Sequence, residues 1–235
     1  EVDVSVCSIF VNPIQFNNKD DYSKYPKSLD DDLNQLEEGG CTYAFVPEET
    51  DMYPNEPSIG FDAGKIGNIL EGKFRPGHFN GVLLVVSKLL NIVQPNIAYF
   101  GQKDLQQYSL IRQMVTDCSF PVELRQVPTV RDGSGLALSS RNRRLSPQEL
   151  KEAASLYIGL TMVREQLHAG GQFSEAKNSV AEYLSNFASV KLEYLELVVL
   201  DGFEIAQDYD QERDYGVVIA AYVGEVRLID NIVLG

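Results

Sequence analysis

Tryptophan is absent from this sequence, histidine occurs twice and cysteine three times. Cys7, Cys41 and Cys118 are odd in number and lack metal-ligand spacing, which argues against a zinc site or a disulfide framework and for reduced thiols in the cytoplasm. Positive charge is also scarce, 20 Lys and Arg against 34 Asp and Glu, a net charge of −14. Wrapping a nucleic-acid backbone needs a cationic surplus, so nucleic acid is not an expected partner. No apolar run reaches the ~18 to 20 residues of a membrane span, and no basic segment precedes an apolar stretch at the start, so no membrane is expected either. Gly-x-Ser-x-Gly, a Walker A loop and His-Glu-x-x-His are all missing, leaving hydrolase, P-loop and zincin chemistries without their residues. What remains is a chain of ordinary globular composition, 44% apolar, long enough for one large or two modest domains. An anionic substrate would have to be held by a local group of cations and backbone donors against the global field.

The pattern along the chain is strand and helix in turn. Val2 to Val11 is a nearly unbroken apolar run ending in Asn12-Pro13, the signature of a strand covered on both faces. Ser28 stands as N-cap before Asp30, Asp31 and Asp32, with Leu29, Leu33 and Leu36 at helical spacing and Gly39-Gly40 as the stop. Tyr43 to Val46 reads as a strand, Pro47 to Pro76 as a long functional connection, and Gly81 to Val93 as a helix. Then come strand (Ile97 to Phe100), helix (Gln106 to Asp117) and strand (Val122 to Val127), an order that predicts a doubly wound parallel sheet. The character changes after Pro128. Ser146-Pro147-Gln148-Glu149 is a capping box opening a helix to about His168, and a second helix starts at Ser174. Strands follow at Lys191 to Leu200, Tyr215 to Val223 and Val226 to Ile229, with Val223-Gly224-Glu225 a hairpin corner. The expected organisation is an α/β domain over residues 1–127 and a smaller α+β domain over 128–235.

Several short stretches could carry chemistry. Gly101-Gln102-Lys103-Asp104 joins a strand to a helix, where glycine admits a phosphate, the helix N-terminus offers N–H groups and Lys103 supplies charge. An ordinary turn with an exposed lysine reads equally well. Leu138-Ser139-Ser140-Arg141, with Arg143 and Arg144 behind it, could offer donors to a polyphosphate or be a solvated turn before Ser146. Asn12 and Gln15 follow the first strand, where α/β sheets bind ligands, although Asn-Pro also opens plain turns. Gln107 lies one helical turn from Lys103 and could face the same ligand. Asp104 could contact Mg²⁺ on a nucleotide or cap its helix, and His78 and His168 carry no assigned chemistry.

Val11-Asn12-Pro13-Ile14-Gln15-Phe16, Tyr25-Pro26, Pro76-Gly77-His78-Phe79, Gly101 to Gln107, Leu138-Ser139-Ser140-Arg141-Asn142 and Arg227-Leu228-Ile229-Asp230-Asn231, in this order and spacing, resemble the signatures of the pantothenate synthetase family. The resemblance implies a Rossmann-like, nucleotidyltransferase-type domain and a smaller C-terminal domain that closes over the site, commonly in a homodimer. It implies ATP-dependent condensation of pantoate with β-alanine, through pantoyl adenylate, to pantothenate, AMP and pyrophosphate. Gly101, Gln102, Lys103, Asp104, Val130, Leu138, Ser139, Ser140 and Arg141 would bind ATP, with Lys103, Ser139, Ser140 and Arg141 stabilising charge at the α-phosphate. Gln15 and Gln107 would bind pantoate, Gln15 and Asn12 β-alanine, and Asp104 Mg²⁺. The family begins with a further strand and a His-x-Gly-His loop carrying a catalytic histidine, which these residues lack, so the chain is expected to be part of a longer one. The rivals are another nucleotidyltransferase of the same fold and a catalytically silent nucleotide-binding fragment.

Overall fold

In a computed structural model of the chain, residues 2–16, 22 and 28–234 are described; Tyr25-Pro26 lies outside them. The chain divides into two compact units, residues 1–98 with 110–124, and residues 99–109 with 125–235.

In the first unit β1 (Val6–Ser8) pairs in parallel with β2 (Tyr43–Phe45), joined through α1 (Leu29–Glu38). The expected strand over Val2 to Val11 is present, with a ladder shorter than the apolar run. Ladder pairing spans three residues, with β2 the only strand paired with β1 among the described residues, and Val2, Val4 and Val6 are 45%, 56% and 43% exposed. An apolar run records the capacity to be buried, whereas burial itself depends on what packs there. Ser28 precedes α1 as expected but makes no side-chain cap bond. The Pro47 to Pro76 connection is not structureless: it holds α2 (Glu49–Met52), a 3₁₀ turn at Ile66–Asn68 and α3 (Glu71–Phe74). Gly77, at φ +79°, then launches α4 (His78–Val93), whose Phe79, Val82, Leu83, Val85, Val86 and Leu90 are buried at helical spacing.

β3 (Ile97–Gly101) and β4 (Glu123–Val127) pair with each other, and α5 (Leu105–Asp117) connects them. The division between units passes through all three elements.

The second unit is built on an antiparallel sheet of order β6-β5-β7-β8: β5 (Val190–Val199), β6 (Glu204–Ala206), β7 (Tyr215–Val223) and β8 (Val226–Leu234). β6 is not foreseen from the sequence because three residues carry too little periodicity to register. Gly224, at φ +55°, forms a two-residue corner that pairs Val223 with Val226. The Ser146 capping box forms with both reciprocal bonds, Ser146 N–H to Glu149 at 2.8 Å and Glu149 N–H to Ser146 Oγ at 3.3 Å. The predicted single helix is two, α6 (Pro147–Ala153) and α7 (Ser155–His168), broken at Ala154; α8 (Phe173–Ser185) starts one residue before the predicted position. Leu156, Leu160, Val163 and Leu167 of α7 and Ala176, Val180 and Leu184 of α8 share a core with Val217, Ile219, Leu228 and Ile232 of the sheet. Burying each larger side chain there contributes about 1.5–3 kcal/mol as an upper estimate.

Glycine at position 216 opens the other face. A Cβ there would lie 2.9 Å from Leu105 Cδ2, so the absence of a side chain at this position lets Leu105, at the start of α5, pack closely against β7.

Candidate active site

In the second unit, Lys103, Ser139, Arg141, Asn142 and Arg227 line one pocket with Leu136, Ala137 and residues 228–230. β8 is the outermost strand of the sheet, so the pocket runs along its edge. Lys103 occupies the 3₁₀ turn Gln102–Asp104 that opens α5, its side chain 22% exposed; its Nζ lies 3.9 Å from Asp104 Oδ1, the far limit of an ion pair. The opposite wall is a tight hairpin. Arg131 and Ala137 bridge across it, and Leu138 N–H donates to Val130 O at 2.9 Å. Asp132 shapes the tip by accepting from Ser134 N–H at 2.8 Å, Ser134 Oγ at 2.6 Å and Leu136 N–H at 3.1 Å. These bonds, the Ser134 hydroxyl first, hold the Asp132 carboxyl below its ordinary range. At the foot of the hairpin Val130 and Leu138 stand 63% and 53% exposed, side by side. Beyond it Ser139 caps the 3₁₀ segment Ser140–Arg144 by accepting from Arg141 N–H at 3.3 Å, and Asn142 Nδ2 ties the segment back to Ala137 O at 3.0 Å. Gly101 and Ser140 are exposed; Gln102, Ser139, Arg141 and Gln107 are partly buried.

Beneath this pocket is a polar network in which Arg131, Asp230 and Asn231 carry no role assigned from the sequence. Arg131 meets Asp230 with both arms of its guanidinium, at 2.6 and 2.9 Å, while its plane lies 3.8 Å from the Tyr157 ring centre. Asn231 Nδ2 donates to Gln102 O at 3.0 Å and Lys103 O at 2.8 Å, and Asn231 Oδ1 accepts from Gln102 Nε2 at 3.3 Å.

A second constellation belongs to the first unit. The 3₁₀ turn Pro13–Gln15 is capped by Asn12, whose Oδ1 accepts from Ile14 N–H at 3.4 Å and from the Tyr53 hydroxyl at 2.9 Å. Its Nδ2 donates to Gly81 O at 3.0 Å and to Gln15 Oε1 at 3.4 Å. Asn12 is 2% exposed, with its polar atoms bonded within the fold. His78 is buried against the same turn, Nδ1 lying 2.8 Å from Gln15 O and Nε2 lying 3.1 Å from Arg75 Nη1. A carbonyl oxygen can only accept and a guanidinium can only donate, so these bonds select the neutral imidazole with its proton on Nδ1. Burial, then the nearby Glu49 charge, pushes the Tyr53 hydroxyl up to about 12, and it stays a donor at every physiological pH. Tyr53 sits 41 residues from Asn12 in a Pro-rich stretch, with no local signal of this role.

An α/β unit joined to a helix-backed antiparallel unit, with a cationic pocket at a strand-to-helix turn, matches a nucleotidyltransferase-like fold. The sequence profile described as "Pantoate-beta-alanine ligase" matches residues 1–233, and the chain belongs to that family. The pantothenate synthetase of Cytophaga hutchinsonii is 46% identical, over 98% of this chain and 82% of its own length. That of Pseudothermotoga lettingae is 44% identical, over 100% and 83%. Among solved structures, pantothenate synthetase from Thermus thermophilus superposes with a TM-score of 0.92 at 41% identity, covering 98% of this chain and 83% of that one. Pantoate-beta-alanine ligase from Francisella tularensis, solved with beta-gamma ATP and beta-alanine, gives 0.78 at 38% identity, covering 99% and 80%.

Proposed function

We propose that the chain makes pantothenate in two steps. A pantoate carboxylate oxygen attacks the α-phosphorus of ATP, and the bond to pyrophosphate breaks to leave pantoyl adenylate. The amine of β-alanine then attacks the acyl carbon, its lost proton passes to solvent, and AMP leaves. No protein nucleophile is needed, so the work is positioning and charge stabilisation.

The observation that carries this reading is the meeting of Lys103, Ser139 and Arg141 on one pocket in a protein of net charge −14. Cations gathered against the global field mark an anion site. Lys103, Arg141 and the hydroxyls of Ser139 and Ser140 would hold the phosphates and stabilise the charge that builds at the α-phosphorus. Gly101, Gln102 and Asp104 complete that wall, and the exposed Val130 and Leu138 offer an apolar ledge suited to the base. Among the described residues no group of three His, Cys, Asp or Glu could hold a metal unaided. Mg²⁺ commonly binds through one or two carboxylates plus substrate phosphates, and the half-exposed Asp104 suits that mode. When bound, Mg²⁺ would neutralise phosphate charge.

Gln15 reads pantoate and β-alanine through its amide, and Gln107 is a second pantoate contact. Asn12, its side chain already engaged by Tyr53, Gly81 and Ile14, serves β-alanine recognition by orienting Gln15. The three cysteines are free thiols, which supports a cytoplasmic setting, and a homodimer belongs to the same reading.

Exchange of labelled pyrophosphate into ATP tests the intermediate. It should require pantoate and proceed without β-alanine, and exchange that needs β-alanine would refute the adenylate. Lys103→Ala should slow it by roughly 10²-fold, as loss of one preorganised charge stabiliser does.

A further inference from the structure

We propose that Asp230 and Asn231, neighbours on β8, are positioning residues that hold the two walls of the Lys103 pocket in one geometry and act on the reaction through Lys103 and the Ser139–Arg141 segment. The inference rests on the reading of that pocket as the ATP phosphate site.

Successive side chains of a strand point to opposite faces. Asp230 falls in series with Leu228 and Ile232, which enter the core shared with α7 and α8; Asn231 falls in series with Val233, whose register partner Gly216 makes room for Leu105. One dipeptide therefore reaches both sides of the sheet at the edge where the pocket lies.

On the Asn231 side, a single amide group takes two successive main-chain carbonyls, Gln102 O and Lys103 O, and receives a bond back from the Gln102 side chain. Three bonds to two adjacent residues leave the Lys103 main chain little freedom to shift or turn. On the Asp230 side, Oδ2 accepts from Arg131 Nη1 and Oδ1 from Arg131 Nη2, and Oδ1 also takes Asn231 N–H at 2.8 Å. Arg131 passes the constraint on, donating to Gly135 O at 3.1 Å within the hairpin and to Asn231 O at 3.2 Å on the strand. The hairpin leads directly into the segment bearing Ser139 and Arg141.

Asp230 is 6% exposed and Asn231 2% exposed, with the polar atoms of both side chains spent on these partners. The Asp230 carboxylate can only accept and both N–H groups of the Asn231 amide are taken, so neither offers a nucleotide phosphate a donor. What they control is the separation of two donor groups that must meet one polyphosphate, and misplacement of such groups by about 1 Å costs on the order of 10²-fold.

A merely structural role would lower the folded fraction without altering the enzyme that remains folded. The test is therefore the split between kinetic constants, read beside thermal unfolding and equilibrium binding of a non-hydrolysable ATP analogue. Asn231→Ala removes the amide; Arg131→Lys keeps the charge but loses the two-armed fork and the ring stack. In the full chain, each should raise the KM for ATP and weaken the analogue by about 10-fold or more, with the pantoate KM unchanged. Should Asn231→Ala fail to fold, Arg131→Lys decides alone. Unaltered ATP KM and analogue affinity in soluble Arg131→Lys would overturn the proposal, as would equal rises for ATP and pantoate. Lys103→Ala is assayed alongside: wild-type ATP constants there would overturn the phosphate-site reading and this inference together. Impaired Lys103→Ala with normal Arg131→Lys and Asn231→Ala would overturn this inference only.

Discussion

Replacing Gly81 with alanine tests how the first unit holds Gln15. A Cβ at position 81 would lie 2.8 Å from three main-chain atoms, Gln15 N, Ile14 C and Ile14 O, where ordinary contact is 3.4–4 Å. Main chain cannot rotate away as a side-chain tip can, so the Pro13–Gln15 turn must retreat by roughly 0.6 Å or α4 must shift. Either movement strains the bonds that cross this contact, Asn12 Nδ2 to Gly81 O at 3.0 Å and His78 Nδ1 to Gln15 O at 2.8 Å. Helix propensity works the other way, since alanine gains about 1 kcal/mol over glycine inside a helix. Overpacking costs about 1–3 kcal/mol, and loosening the two hydrogen bonds about 1 kcal/mol each, so the net should be a loss of about 2–4 kcal/mol. In a protein of this size that corresponds to a drop in Tm of about 4–16 °C. The functional effect should exceed the stability effect, because Gln15 would be displaced in every folded molecule. We expect kcat/KM for pantoate to fall by about 10- to 100-fold while the KM for ATP holds. Thermal unfolding with steady-state AMP release at varied pantoate and ATP measures both. A Gly81→Ala protein that is more stable and keeps its pantoate constants would refute the argument, showing that propensity wins and that the close approach does not govern Gln15.

Tyr53→Phe deletes a hydroxyl donor from buried Asn12 Oδ1, leaving the longer 3.4 Å bond from Ile14 N–H. At about 1 kcal/mol the pantoate KM should rise by about 5-fold with the ATP KM unmoved, and equal effects on both would argue against local action at Gln15. Asp230→Ala leaves Arg131 buried beside an empty partner position; with side-chain exposures of 15% and 5% the loss should reach about 3–5 kcal/mol, or about 6–20 °C in Tm. The double change Arg131→Met with Asp230→Leu should recover most of that stability while failing to recover ATP affinity, and additive losses would contradict the pairing. The Glu152 carboxyl is held below its ordinary range chiefly by the Ser189 hydroxyl, with Gln148 and Ser189 N–H contributing. A depressed folded pKa means that the native state binds fewer protons, so this stabilisation is present above the ordinary carboxylate range and is lost as pH falls through the lowered value. Glu152→Gln should accordingly flatten the fall of Tm on acidification below about pH 4.5, and an unchanged acid limb would show that the Ser189 contact has no energetic weight.

Whatever depended on neighbours along the chain was legible in the amino-acid order itself. The Ser146-Pro147-Gln148-Glu149 box, the limits of β7 at Tyr215 and Val223, and the two-residue corner at Gly224 rest on spacings of two to four residues, which the sequence displays directly. The ordered motifs also named Lys103, Ser139, Arg141 and Gln15 as candidates. Their supports were not legible. Arg131 and Asp230 are 99 residues apart, Asn231 and Lys103 128, Tyr53 and Asn12 41, and no local period connects such partners. Sequence alone determined which segments could be helix, strand or turn, because those choices are made by torsions and nearest neighbours. Only the tertiary structure decided which side chains are spent on the fold and which line the pocket, because a hydrogen bond forms wherever the chain path brings donor and acceptor within about 3 Å.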